Sequence, residues 1–320
     1  MKKITILVPA YNEALSLPSL VKSLNALISG GLENTYSFEY LIVNDGSRDN
    51  TLEVLTQLRS EDSKVNFVSL SRNFGKENAM LAGFDYATGD AVIIMDADLQ
   101  HPVEAIPEMI RKWEEGYEDV YGRRRVRGRE SWLRKRLTLF YYNLLQRSTR
   151  IEILRNVGDF RLLDRRCVEA LKMMRESQRY TKGLYCWVGY KKTEFLFDQG
   201  DRVNGESSFS LRGLFNLAIE GILCFTTAPL RFASVMGIVV SFFAFLYLIF
   251  VLFKTILCGE DVQGFPTLIT IILFIGGCQL LAIGIIGEYI GRIFNETKHR
   301  PVYIADLYNE TKIVQNQDIK

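Results

Sequence analysis

Two carboxylates, Asp96 and Asp98, stand one residue apart in Met95-Asp96-Ala97-Asp98-Leu99-Gln100, at the end of the apolar run 91–95. In extended chain, residues i and i+2 project to the same side, so the pair can face one hard cation. Mg²⁺ or Mn²⁺ takes oxygen ligands and is commonly held by one or two carboxylates together with substrate phosphates. Gln100 adds an amide oxygen, which makes Asp96, Asp98 and Gln100 the candidate metal set. Such a site suits departure of a diphosphate, whose charge a cation neutralises as its bond breaks. By itself an Asp-x-Asp is common and weak.

Two other clusters strengthen it: Val8-Pro9-Ala10-Tyr11-Asn12-Glu13, and Val43-Asn44-Asp45-Gly46-Ser47-Arg48-Asp49. Each alone reads as turn chemistry. Asn50-x-x-Glu53 has the form of a capping box, and Pro102 suits the first turn of a helix. Three such clusters in chain order, each after an apolar run, are much harder to assign to turns. The elements that must position them alternate. The runs 4–8, 40–43, 65–70 and 91–95 are continuously apolar, as in strands buried on both faces, and helical patterns cover 17–27, 51–58, 77–87 and 102–113. This predicts an α/β sandwich with a mainly parallel sheet, which binds ligands at the carboxyl ends of its strands. No G-x-G-x-x-G follows the first strand, which disfavours a Rossmann dehydrogenase.

The chain has 320 residues and a net charge of +2, so nothing in its overall charge points to nucleic acid. Five dispersed cysteines without C-x-x-C spacing, with only His101 and His299 beside them, favour neither a disulfide framework nor zinc. The run 4–8 after Met-Lys-Lys is too short for a signal-peptide core, which places the domain in the cytoplasm. The last third differs. Residues 232–253 and 265–287 carry no charge, and each is long enough as a helix to cross a bilayer core of roughly 30 Å. The loop between them holds Glu260 and Asp261, whereas Arg212, Arg231, Arg292, Lys298 and Arg300 flank the pair. The positive-inside rule then sets both ends in the cytoplasm. Eight basic residues in 123–136 precede an apolar, aromatic segment at 137–145, a composition suited to a membrane surface, and 209–225 reads as an amphipathic helix. The expected plan is a catalytic domain over 1–208, an amphipathic juxtamembrane helix over 209–230, a two-helix transmembrane hairpin within 231–291 and a tail over 292–320.

In order, V-P-A-Y-N-E, N-D-G-S-R-D-N-T, R-N-F-G-K-E-N-A, D-A-D-L-Q-H-P and G-D-F-R-L-L resemble the family 2 glycosyltransferases of the GT-A fold. More closely, the chain resembles the polyprenyl-phosphate glycosyltransferases, over nearly its whole length. The resemblance implies that Pro9, Tyr11, Glu13, Val43 and Asp45 line the base and ribose site. It implies that Lys76, Asp96, Ala97, Asp98 and Arg202 serve the sugar nucleotide, with Asp96, Asp98 and Gln100 on the metal. Arg124, Arg134 and Thr138 match the region that binds the acceptor phosphate, and Asp159, with Asp98, the catalytic positions. Asp159 stands where related enzymes have a catalytic base, although a phosphate monoester with a second pKa near about 6 needs little deprotonation. The chain departs from the pattern at Asn44, where many members have Asp, and at Gln199 and Ser208, where Arg and Lys are frequent.

The expected reaction is an inverting, metal-dependent transfer of one sugar to polyprenyl (undecaprenyl) phosphate at the cytoplasmic face of the inner membrane. UDP-glucose is the first donor by analogy, with other UDP-sugars, GDP-mannose and a modified aminoarabinose donor left open. A processive polysaccharide synthase normally carries Q-x-x-R-W and more spans; this chain has neither. A silent sugar-nucleotide binder or membrane scaffold is disfavoured by the intact Asp96, Asp98 and Asp159. The expected partners are the donor, the lipid and the membrane, and membrane hairpins are compatible with homo-oligomers.

Overall fold

A computed structural model describes residues 1–125, 157–177, 179–198, 228–258 and 264–313. The chain forms two compact units, Met1–Leu214 with Pro301–Lys320, and Phe215–Arg300.

The first unit is built on a nine-stranded sheet. Its centre consists of β1 (Lys2–Ala10), β2 (Tyr36–Asn44), β3 (Val65–Leu70) and β4 (Ala91–Ile94), in the order β4-β1-β2-β3 and mutually parallel. These are the four apolar runs, and their continuous burial explains their composition: both faces are covered. α1 (Leu17–Ser29) buries Leu17, Leu20, Val21, Leu24 and Ile28, one helical stripe. α2 (Thr51–Glu61) and α4 (Ile106–Glu114) also meet the sheet through apolar stripes. α3 (Lys76–Tyr86) is buried over Ala79–Phe84 on nearly all sides and sits tight on β1, where a Cβ on Gly83 would lie 2.1 Å from the Leu7 side chain. The expected capping box at Asn50 does not form. Asp49 caps α2 instead, its carboxylate accepting from the backbone N–H and hydroxyl of Thr51.

Outside this centre the sheet is mixed, which corrects the mainly parallel expectation. β5 (Asp119–Arg124), β6 (Val157–Asp164) and β7 (Lys192–Phe197) extend it in the order β7-β5-β6-β4, with β6 antiparallel to both β4 and β5. α5 (Arg165–Met173) and α6 (Thr181–Trp187) follow β6.

At the other edge the sheet gains strands from the C-terminal residues. β8 (Ala305–Tyr308) pairs antiparallel with β3, and β9 (Thr311–Lys312) pairs with β8. Asn309 fastens this clasp, accepting from Phe67 N at 2.9 Å and donating to Asn66 Oδ1 at 3.2 Å. Tyr303 donates to Asp85, which Arg175 grips with both of its terminal nitrogens. A strand edge with bare N–H and C=O groups is a template for such pairing, but that edge is created by the fold and is invisible in the tail's own composition.

The second unit contains α7 (Ala228–Cys258) and α8 (Phe265–Thr297), which pack on each other. Large apolar side chains, among them Phe242, Phe250, Leu280 and Phe294, are exposed along both. Among the described residues one apolar helical stretch, Phe274–Thr297, is long enough to cross a membrane, and Phe232–Tyr247 is a shorter one. The expected amphipathic segment 209–225 lies outside the described residues.

Candidate active site

The parallel register sets Ala10 opposite Asn44 and Leu7 opposite Ile94, so the carboxyl ends of β1, β2 and β4 open on one side of the sheet. The loops that follow are laced together. Asn12 N donates to Ser47 Oγ at 2.9 Å, and Arg48 N to Asn12 Oδ1 at 2.8 Å. Gly46 lets the second loop lie against the one after β3: its φ is +62°, and a Cβ there would lie 2.3 Å from the carbonyl carbon of Arg72. Asn44, the departure from the family pattern, is buried. It accepts from Ser47 N at 3.0 Å and donates to Ser69 Oγ at 3.1 Å, so it shapes the turn from beneath.

These loops wall a cleft of about 310 Å³. Of the expected residues, Pro9, Tyr11, Glu13, Asp45, Lys76, Asp96, Ala97 and Asp98 line it. Val43 does not; it is wholly buried in β2 as the register partner of Pro9, so it supports the wall from behind. Ala10, Asn73, Gly75 and Ala79 also line the cleft. Ala10 belongs to the V-P-A-Y-N-E motif, and Asn73, Gly75 and Ala79 to the R-N-F-G-K-E-N-A stretch after β3, in which the resemblance assigns a role to Lys76 alone. Asp45 explains why that stretch reaches the cleft: its Oδ1 accepts from Phe74 N at 2.7 Å and its Oδ2 from Gly75 N at 2.9 Å.

Tyr11 stands at the rim with its ring part-exposed, open to a flat base. Burial pushes the Glu13 carboxyl up, with the charges of Asp98 and Asp96 adding to the rise; Ser16, which donates to it at 2.8 Å, opposes this. Gln100 N donates to Asp98 Oδ1 at 3.1 Å, and Leu99 between them holds the left-handed region at φ +61°. A non-glycine residue there stores strain of the kind that collects at binding sites. Asp96 is steadied through its backbone. His101 Nδ1 accepts Asp96 N–H at 3.0 Å, and its ring stacks on Phe160 at 4.5 Å. Burial holds His101 below its ordinary pKa, as an accepting nitrogen requires. Through that bond the histidine buttresses the first carboxylate. Arg124, at the end of β5, is near enough to His101 to act on its charge.

Asp159, on β6, joins the cleft through Lys76, whose Nζ lies 2.6 Å from Asp96 Oδ1 and 3.1 Å from Asp159 Oδ2. Asp159 Oδ1 is buried without a hydrogen-bond partner. Burial alone would raise its carboxyl; the ammonium groups of Lys76 and Lys182, with Arg161, outweigh that and hold it at about 2. Among the described residues no three or more His, Cys, Asp or Glu form a closed metal cage. Asp96 and Asp98 on one cleft wall nevertheless fit a hard cation that completes its shell with substrate phosphates. Arg134, Thr138, Arg202, Gln199 and Ser208 lie outside the described residues.

Residues 5–172 match the family model described as glycosyl transferase family 2. The chain belongs to this family. Residues 228–293 of the glycosyltransferase also match the GtrB C-terminal hairpin. Over 96% of both chains it is 43% identical to an uncharacterized glycosyltransferase of Synechocystis sp.. Over 94% of its length and 97% of the relative's, it is 41% identical to a bactoprenol glucosyl transferase of Shigella phage SfV. Among solved structures, glucosyl-3-phosphoglycerate synthase from Mycobacterium tuberculosis, in complex with Mn²⁺, UDP and phosphoglyceric acid, is similar over 69% of this chain and 76% of that one. The identity is 19% and the TM-score 0.48.

Proposed function

We propose that this glycosyltransferase moves one glucosyl residue from UDP-glucose to a polyprenyl phosphate, with inversion, at the cytoplasmic face of the inner membrane. The observation that carries the proposal is the cleft that gathers Tyr11, Glu13, Asp45, Asp96 and Asp98 in a chain alike end to end with a bactoprenol glucosyl transferase. Tyr11 packs against the base, and Glu13 and Asp45 offer acceptor oxygens to base and ribose. Asp96 and Asp98, with Gln100 beside them, would hold Mg²⁺ or Mn²⁺, which neutralises the leaving diphosphate. An oxygen of the acceptor phosphate attacks the anomeric carbon opposite the UDP. The new C–O bond forms as the bond to UDP breaks, and UDP leaves with that electron pair. The nucleophile has a second pKa near about 6 and needs no general base at neutral pH. Asp159, already ionised, therefore orients, while Arg124, Arg134 and Arg202 offset phosphate charge and Thr138 donates a hydroxyl hydrogen bond to it.

In this reading residues 1–208 form the catalytic domain, 209–230 lie on the membrane surface, and 231–291 form a two-helix transmembrane hairpin with both ends in the cytoplasm. The exposed apolar side chains of α7 and α8 support that assignment, since lipid is the solvent they suit. The test uses full-length protein in detergent, undecaprenyl phosphate, and labelled UDP-glucose, other UDP-sugars and GDP-mannose in parallel. Label should pass from UDP-glucose to the organic phase, and EDTA should abolish the transfer. Transfer from GDP-mannose alone would overturn the donor assignment, and full activity in EDTA the metal.

A further inference from the structure

Lys76 is the first residue of α3, following Gly75 at φ +92°. A helix N-terminus carries the positive end of the macrodipole, so a lysine there is electrostatically misplaced unless anions hold it. Two do, and they come from different parts of the sheet: Asp96 follows β4, and Asp159 lies on β6. The ammonium bridges them at 2.6 and 3.1 Å while 43% of the side chain stays open to solvent. Two of its three donors are thereby engaged.

We propose that Lys76 is an internal counter-ion that competes with the divalent cation for Asp96. The inference rests on the metal assignment made above for Asp96 and Asp98. A hard cation on Asp96 must share a carboxylate that already neutralises the ammonium through Oδ1, and it brings further positive charge close to Nζ. Cation binding therefore drives Lys76 off Asp96 and leaves it to Asp159 and to incoming phosphate. The donor freed in this way stays on the cleft that Lys76 lines together with Asp96 and Asp98, where it can meet phosphate charge. Lys76 is then a positioning residue that links loading of the donor side to readiness of the acceptor side.

The prediction is opposite to that for a simple ligand-binding lysine, whose removal weakens binding. Mn²⁺ alone is titrated into the full-length protein in detergent, with free Mn²⁺ read from its paramagnetic resonance signal. Lys76→Gln should bind Mn²⁺ at least about tenfold more tightly than the wild type, because removing one positive charge about 4 Å from a divalent ion is worth that much even with the screening of bulk water. Lys76→Arg, which keeps the charge, should stay near the wild type, and Asp98→Asn should bind far more weakly. Thermal melts establish that each variant is folded. Unchanged or weaker binding in Lys76→Gln, with binding lost in Asp98→Asn, would overturn the competition while leaving the metal site standing. Equal tightening in Lys76→Gln and Lys76→Arg would also overturn it. Unaltered binding in Asp98→Asn would remove the metal assignment, and this inference with it.

Discussion

The guanidinium of Arg161 donates to both carboxylate oxygens of Asp119, at 3.2 and 3.0 Å, with both side chains almost wholly buried. It also donates to Gly158 O at 3.3 Å and lies 3.6 Å from the ring centroid of Tyr185. The pair ties β5 to β6 and steadies the residue before Asp159. Asp119→Ala strands a guanidinium in the interior, which costs about 3–5 kcal/mol. Replacing both partners by apolar residues, Asp119→Leu with Arg161→Met, should cost far less. Chemical denaturation of the three proteins checks this; a double variant as unstable as the single one would contradict it.

Asp159 governs the second prediction, on pH. Its carboxyl is held at about 2, below the ordinary 3.8. A depressed folded pKa contributes stability that is present above the unfolded value and is lost as pH falls from 3.8 through about 2. Asp159 therefore supplies no limb to the rate profile near neutrality. The acid-side loss should follow the acceptor phosphate, with a midpoint near about pH 6. Asp159→Asn should lower turnover roughly a hundredfold or more, on the scale of lost positioning, without moving that midpoint. A midpoint displaced by one pH unit in the variant would assign proton transfer to Asp159.

The clasp gives the third prediction. Asn309 holds φ +53° and makes two side-chain hydrogen bonds to the β3 strand. Asn309→Ala should lose about 2–3 kcal/mol, combining two hydrogen bonds with left-handed strain. Asn309→Gly relieves the strain and should lose less. Hydrogen exchange at the β3 amides should speed up in both, most in the alanine variant. Unchanged protection would show that β8 contributes nothing to that edge.

Much of the candidate site is legible in the linear chain because its signals are local. A continuous apolar run followed by Asp-x-Asp or by Asn-Asp-Gly marks a strand end with polar cargo, and the parallel register then carries such ends to one side of the sheet. The order of motifs identified the family, and Asp45, Asp96 and Asp98 line the cleft as their placement predicted. Even locally, the capping box expected at Asn50 gives way to Asp49, which accepts from Thr51 N and from Ala14 N of the first loop.

What only the tertiary structure decided concerns partners. Arg161, two residues from Asp159, is its nearest cation in sequence, yet it turns to Asp119, and Lys76 supplies the charge on Asp159. Val43 resembles a cleft residue in its motif but faces the core, and residues 305–308 pair with β3, about 240 residues earlier in the chain. The physical reason is common to all three. Hydropathy period and turn chemistry act over a few residues, whereas pairing a charge or capping a sheet edge depends on strand order and register. Those are set by packing between segments far apart in the chain.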